Sequence, residues 1–494
     1  MNWNNNKILL FCVLLGVCLG SAATAFSAVA DFDQSVVQII VTYQEYDSAL
    51  PWRKKSPQVR NGYGVIIEGG LVMTTENLVR NHTLVEIRKT RSSMKIPASV
   101  TLSDNQSGLA LLNIKNQAAA LDMRSVKIAS AIDQDAQLTI VQFDYTGQIQ
   151  TGTGHISEIS MASLPESQSI TLVAQVLTDL AITGNGGTPV FTKDNTLFGI
   201  VIRYNNNTNI CYVLPYSILY KFIQASKIRP FPGIASAGLL WTPLIDPFKQ
   251  AFLGLKKDQT GILVQRMLPG SDHTLLPDDV IIEWDGYALD SQGYYHDPDF
   301  GRILFSYLIK GRGSPGDITP VTVIRNKQPI HLKLKLKNLQ DKDATISYNI
   351  TGEQEEYLVE GGLVIRELTV DYLKMFGSKW RVMTDTRLLH LYLTRNQITD
   401  NPNDHIVILS CVFPDLINIG YENLRNQVIT AVNGEPIRNL ADVFRIAQRD
   451  GTIHRISLQS MKIDIVLNPE RIPSANARIA RNYHIPRLRY QHPD

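Results

Sequence analysis

Cysteine is scarce, and two of the four, Cys12 and Cys18, fall inside the one long apolar run of the chain. That leaves Cys211 and Cys411, so a disulfide framework does not hold this protein together. The two could pair in an oxidising compartment, but each sits in a strand-like apolar run, where a buried, inert thiol is the commoner outcome. No CxxC and no histidine pair at ligand spacing occurs, which excludes the usual zinc patterns; no metal and no cofactor is expected. An excess of one charge is missing as well: 48 basic residues face 46 acidic ones, for a net charge of +2. Such a chain has no long-range field with which to grip a phosphate backbone, so nucleic acid is not an expected partner. The densest basic cluster, Arg53-Lys54-Lys55, reads as a solvated loop. With 44% hydrophobic and 19% charged residues among 494, the chain is neither a disordered polymer nor a collagen nor a coiled-coil rod.

The long apolar run stands at the start. Lys7 precedes Ile8 to Gly20, and small residues follow, Ser21-Ala22-Ala23-Thr24-Ala25-Phe26-Ser27-Ala28. A basic tip, a short apolar stretch and small residues are the parts of a secretory signal peptide, expected here over residues 1–28. Cleavage after Ala25, Ala28 or Ala30 fits, and an uncleaved anchor is the alternative. A periplasmic or otherwise extracytoplasmic location follows from either.

From residue 33 to 227 short strands alternate with turn residues: Val36–Tyr43, Gly62–Glu68, Thr83–Arg88, Leu109–Lys115, Gln137–Asp144, Ile170–Val176 and Leu197–Tyr204. Many short strands with few helices predict closed β-barrels, not an alternating βαβ sheet. Tyr216–Lys227 has helical spacing, and Arg229-Pro230-Phe231-Pro232-Gly233 then marks a boundary. Beyond it lies a repeat. Gly261-Ile262-Leu263-Val264, Leu268-Pro269-Gly270-Ser271, Asp279-Val280-Ile281-Ile282 and Asp285-Gly286 recur as Val407-Ile408-Leu409-Ser410, Val412-Phe413-Pro414-Asp415, Gln427-Val428-Ile429-Thr430 and Asn433-Gly434. Each copy predicts a strand, a Pro-containing turn, a short helix, a second strand and a tight turn that tolerates positive φ. The expected organisation is a barrel domain over 33–227, small domains over 232–340 and 355–470, and a tail over 471–494.

Asn61-Gly62-Tyr63-Gly64-Val65-Ile66-Ile67 with Leu71-Val72-Met73-Thr74-Thr75, then Asp104 to Leu112, then Gly184-Asn185-Gly186-Gly187-Thr188-Pro189-Val190, then Phe198-Gly199-Ile200 with Tyr212-Val213-Leu214-Pro215, stand in a telling order. Read together, they resemble the protease domain of the HtrA/Deg family of extracytoplasmic serine proteases. The two repeats resemble PDZ domains, and the third domain with its tail looks most like the longer Deg subgroup. The resemblance implies a mostly β chain: a trypsin-like double β-barrel followed by two PDZ-type α+β domains.

A serine protease needs a hydroxyl nucleophile, an imidazole to take its proton and a carboxylate to orient that imidazole. On the positions that match the family, the histidine place holds Asn77, the aspartate place Gly108 and the serine place Gly186. All three groups are absent at once. Shifted candidates fit badly: His82 stands five residues past Asn77, Asp104 matches an earlier, non-catalytic aspartate, Ser167 and Ser169 precede the loop, and Thr188 would point the wrong way. Gly184, Asn185 and Gly186 remain as a vestigial oxyanion loop, although a ligandless Gly-rich turn explains them as well. His155, His273 and His390 have no carboxylate at useful spacing, and Asp278-Asp279 reads as a solvated turn.

PDZ modules capture chain ends by adding the guest as a strand beside a loop of free N–H groups. The resemblance places that loop at Gly238-Leu239-Leu240 in the first copy and at Gly362-Leu363-Val364 in the second. In the Deg subgroup the last copy is associated with subunit contacts, so peptides are expected at the first. The Tyr- and Asp-rich insertion Asp290–Arg302 is long enough to cover that groove. The expected function is a secreted pseudoprotease that binds peptides or unfolded segments, as chaperone, scaffold or regulator of an active HtrA/Deg relative, in a trimer-based homo-oligomer. The alternatives are an active endopeptidase with a misassigned triad and a structural subunit of an envelope assembly.

Overall fold

The computed structural model describes residues 32–492 apart from 132, 134, 165–168, 349–351, 400 and 461–463. The expected signal peptide and Ser167 lie outside the described residues. The chain forms two compact units, one made of residues up to 43, 58–233 and 296–307, the other of 44–57, 234–295 and 308 onwards.

The first unit is built on two closed six-stranded barrels. β1 (Val36–Tyr43), β2 (Gln58–Ile66), β3 (Val72–Thr75), β4 (His82–Arg88), β5 (Lys95–Asp104) and β6 (Leu109–Ile114) close in the order β1-β2-β3-β6-β5-β4. Their sequences carry β-branched and leucine side chains on the inward face. Ile39, Val41, Val72, Val85, Ile87 and Leu112 are buried in one cluster, and each contributes about 1.5–3 kcal/mol relative to exposure. The second barrel closes β7 (Leu138–Phe143), β8 (Ile149–Ser163), β9 (Ile170–Thr178), β10 (Pro189–Phe191), β11 (Leu197–Asn205) and β12 (Ile210–Pro215) in the order β10-β11-β12-β9-β8-β7. A helix, Tyr216–Ser226, follows and buries Ile218, Leu219 and Phe222. Cys211 is buried and free, and burial pushes its thiol up to about 12. Cys411 is also a free thiol.

The second unit holds two antiparallel sheets. In the first, Leu239–Pro243 is the outermost strand, followed by Ile262–Met267, Val280–Trp284, Ile318–Arg325 and Gln328–Lys335. In the second, the path runs through Ile465–Val466, Arg455–Leu458, Gln427–Val432, Val407–Val412, Leu363–Glu367, Tyr357–Glu360 and Arg489–Tyr490. The tight turns fall where the repeat predicts them, with φ of 52° and 80° at Asp285-Gly286 and 50° and 86° at Asn433-Gly434. The short helix expected after the first strand of each copy is absent; both stretches are turns. Side chains hold those turns instead, as where Asp272 accepts the Thr274 N–H at 3.2 Å and Asp279 accepts the Leu276 N–H at 2.8 Å. Asp279 is therefore not solvated: it is 1% exposed and paired with Arg325 at 2.7 Å.

Arg366 is the most deeply buried charge of this unit, its side chain fully covered. Its Nη1 donates to the Ser48 carbonyl at 2.5 Å, Glu355 lies against Nη2, and the Tyr372 ring centre is 4.9 Å away. Burial pulls the guanidinium down to about 10. Beside it Trp52 packs at 5.3 Å from the Tyr357 ring and 5.8 Å from Phe413, so segment 44–57 is folded into this unit.

Candidate functional site

The loop 184–187 lies along β2 in the first unit. Asn185 N–H donates to the Asn61 carbonyl at 2.7 Å, Tyr63 N–H to the Gly186 carbonyl at 3.0 Å, and Gly187 N–H to the Val201 carbonyl at 3.0 Å. On the opposite side stands the short helix α1 (Glu76–Val79), whose Asn77 Nδ2 donates to the Asn185 carbonyl at 3.3 Å. The Glu76 N–H donates to the Gly108 carbonyl at 2.9 Å. Asn77, Gly108 and Gly186, which are 31 and 78 positions apart in the sequence, are thus brought to one place. A methyl carbon built on Gly186 would lie 3.4 Å from Asn77 Oδ1 and 2.7 Å from Thr75 Oγ1.

The backbone there has a conformation of its own. Gly186 has φ of +125° and Gly108 φ of +75°, and side-chain-bearing L-residues rarely adopt such values. Gly187, at φ +83°, is packed tighter still: a methyl carbon on it would meet the Tyr63 carbonyl oxygen at 1.8 Å. Within the expected oxyanion loop, the Asn185 N–H is taken by the Asn61 carbonyl. The loop is a turn bonded to β2, to Val201 and to Asn77.

Polar side chains that sequence reasoning missed hold it there. The Tyr63 hydroxyl donates to the Phe143 carbonyl at 3.1 Å and meets Thr183 Oγ1 at 2.7 Å. Thr183 N–H donates to Gln142 Oε1 at 2.9 Å, and Gln142 Nε2 donates to the Ala181 carbonyl at 2.9 Å. Burial raises the Tyr63 phenol above its ordinary value. The Thr153 hydroxyl and N–H, each 2.7 Å from Asp179, hold that carboxyl below the usual range and fix the start of the loop.

Three of the shifted candidates, Asp104, His82 and Thr188, are accounted for locally. Asp104 closes its own turn, accepting the Ser107 N–H at 3.0 Å, and burial raises its carboxyl above the usual range. His82 places Nδ1 2.8 Å from the Val79 carbonyl. Thr188 is fully buried. Its hydroxyl, Thr75 Oγ1 and Asn77 Oδ1 have no partner among the described residues. No group of three metal-binding side chains occurs among the described residues.

The two PDZ-like places differ. Among the described residues Leu239–Pro243 pairs as a strand on one side only, with Ile262–Met267, and its Leu239 and Leu240 are half-buried. Gly238 has φ of +61° and its N–H donates to Ser236 Oγ at 3.1 Å. The insertion meets the far end of this strand: Leu244 N–H donates to the Ser291 carbonyl at 2.8 Å, and Gly293 lies under the Trp241 ring. In the second copy the expected groove at Gly362-Leu363-Val364 is not open. Val364 is paired with Val359 on one edge and Cys411 on the other, and Leu363 and Val364 are fully buried. The chain's own strand Tyr357–Glu360, joined through Gly361-Gly362, fills the slot a guest would take.

A trypsin-like peptidase domain family matches residues 62–200, and a PDZ domain family matches residues 346–492. Protease Do-like 2, chloroplastic, of Arabidopsis thaliana is 27% identical over 466 residues, covering 92% of this chain and 75% of the relative. Putative protease Do-like 3, mitochondrial, of Arabidopsis thaliana is 23% identical over 461 residues, covering 92% and 78%. Among solved structures, a variant of the HtrA-type protease AlgW with decapeptide superposes at a TM-score of 0.51 with 19% identity, covering 64% of this chain and 97% of that one, which shows the fold alone. The chain belongs to the HtrA/Deg family.

Proposed function

We propose that this chain is a non-hydrolysing HtrA/Deg member, a pseudoprotease that holds peptide or unfolded-protein ends on the open edge of Leu239–Pro243. The observation that carries the reading is at Gly186. Where the family chemistry needs an attacking hydroxyl beside an imidazole, there is a glycine at φ +125° facing the amide of Asn77. Such a place has no imidazole or carboxylate to take a proton, and the hydroxyl beside it, Thr75 Oγ1, is buried with no base to activate it. Support for the holding function is the open strand edge, since strand addition supplies main-chain hydrogen bonds; a terminal carboxylate at the adjoining loop would take the Gly238 N–H from Ser236 Oγ. The apolar run near the amino terminus supports an extracytoplasmic site of action.

A peptide array of free carboxyl termini tests the holding function. Bound sequences are expected to lose at least about tenfold in affinity when their terminus is amidated, because a charge-assisted contact is removed. The pair Leu239→Ser and Leu240→Ser is expected to weaken the free-acid peptides by a similar factor. Equal binding of free and amidated peptides, or an array with no hits, would defeat the reading.

A further inference from the structure

A patch in the second unit, away from the Leu239–Pro243 edge strand's own residues, exposes what a folded domain ordinarily hides. The helix Pro247–Phe252 begins at the Asp246 cap, whose carboxylate accepts the Phe248 N–H at 2.9 Å, and none of its residues is buried. Phe248 is 85% exposed, Phe252 73%, and Ile245 just ahead of the helix 63%. Phenylalanines four apart share one face of a helix. Three large apolar side chains standing together in water mark an interaction surface.

Lysines surround them. Lys249 is on the same helix, Lys256 and Lys257 follow it, and Lys327 comes in from a hairpin turn with its Nζ 5.6 Å from the Phe252 ring centre. All four are exposed, and none is in an ion pair among the described residues. Asp246 and Asp258 are the acidic residues of the same stretch, which leaves the patch positive.

We infer that this patch docks on an anionic lipid bilayer, the two phenylalanine rings entering the headgroup boundary and the lysines facing anionic headgroups. Rings this exposed are not seated in a groove. A protein partner would have to supply a pocket for each, whereas a fluid bilayer opens around an apolar wedge. A second copy of this chain is disfavoured, because a two-fold contact sets like patches, and so like charges, against each other.

The test is flotation of the full chain with vesicles of phosphatidylcholine alone and with vesicles carrying about a third phosphatidylglycerol, at low and high salt. The full chain is expected to bind the anionic vesicles and to be released by salt. The pair Phe248→Ser and Phe252→Ser is expected to lower binding by at least about tenfold, and Lys249→Gln with Lys256→Gln and Lys257→Gln to lower it about fivefold per lysine. These side chains contribute nothing to the core, so unchanged thermal unfolding verifies the fold of each variant. Equal binding by all three chains would assign any attachment to another segment, such as the apolar run near the amino terminus, and overturn the inference. So would the absence of a preference for anionic lipid, or a lipid-free self-association that the phenylalanine pair abolishes.

Discussion

Purified protein mixed with unfolded casein is expected to release no peptide above the buffer rate, with or without a serine-directed phosphonate. Removing the nucleophile or the base alone costs on the order of a million-fold in rate, and on the reading proposed above the positions of nucleophile, base and orienting carboxylate hold Gly186, Asn77 and Gly108. Returning the three groups is expected to fail as well. Asn77→His, Gly108→Asp and Gly186→Ser together place side chains at φ +75° and +125°, each at a cost of about 1–2 kcal/mol. The new Cβ at 186 would also stand 2.7 Å from Thr75 Oγ1. The combined variant should therefore unfold at lower temperature and remain without burst or turnover. Cleavage by the unaltered chain that the phosphonate stops would overturn the non-hydrolysing reading, and mass spectrometry of the adduct would locate the hydroxyl, Ser169 included. Activity gained only by the combined variant would instead overturn the backbone argument and leave that reading intact.

Arg366→Met is expected to be the most damaging single change in the second unit. The methionine fills much of the volume but leaves the Glu355 carboxylate, 11% exposed, and the Ser48 carbonyl without their cationic partner. Removing one member of a buried pair costs about 3–5 kcal/mol, enough to shift the calorimetric transition of that unit by several degrees. The same contact holds segment 44–57, so trypsin should cut sooner at Arg53, whose side chain is 61% exposed. Arg366→Lys, which keeps a charge but not the forked donor, should fall between. An unchanged transition and an unchanged rate of nicking in Arg366→Met would show that the buried guanidinium is dispensable.

The fold was legible where apolar residues recur, and opaque where closure does the work. β1, with Val36, Val37, Ile39 and Val41 buried, reads directly from its alternation. β8 does not: over Ile149–Ser163 only one residue is buried, so a long strand that closes a barrel leaves no apolar trace. β5 carries Pro97 in its third position, a residue that argues against a strand interior, and its neighbours β4 and β6 accommodate it. The meeting of Asn77, Gly108 and Gly186 in space was legible through the order of motifs. Its support was not: Tyr63 reaches Thr183 across 120 positions, and no local spacing encodes that contact. Nor does a strand's sequence say whether both its edges are taken, so Leu239 and Leu363 read alike and only one lies on an open edge.

That difference sets a stoichiometry. The strand Tyr357–Glu360 is tied to the slot it fills by two glycines, Gly361 and Gly362. A tethered occupant acts at an effective concentration of at least millimolar, which a free peptide at micromolar levels does not match. Titration calorimetry of the intact chain with a peptide that binds the first copy should accordingly saturate at one equivalent, and a second equivalent taken up at similar affinity would mean that the tethered strand lets go.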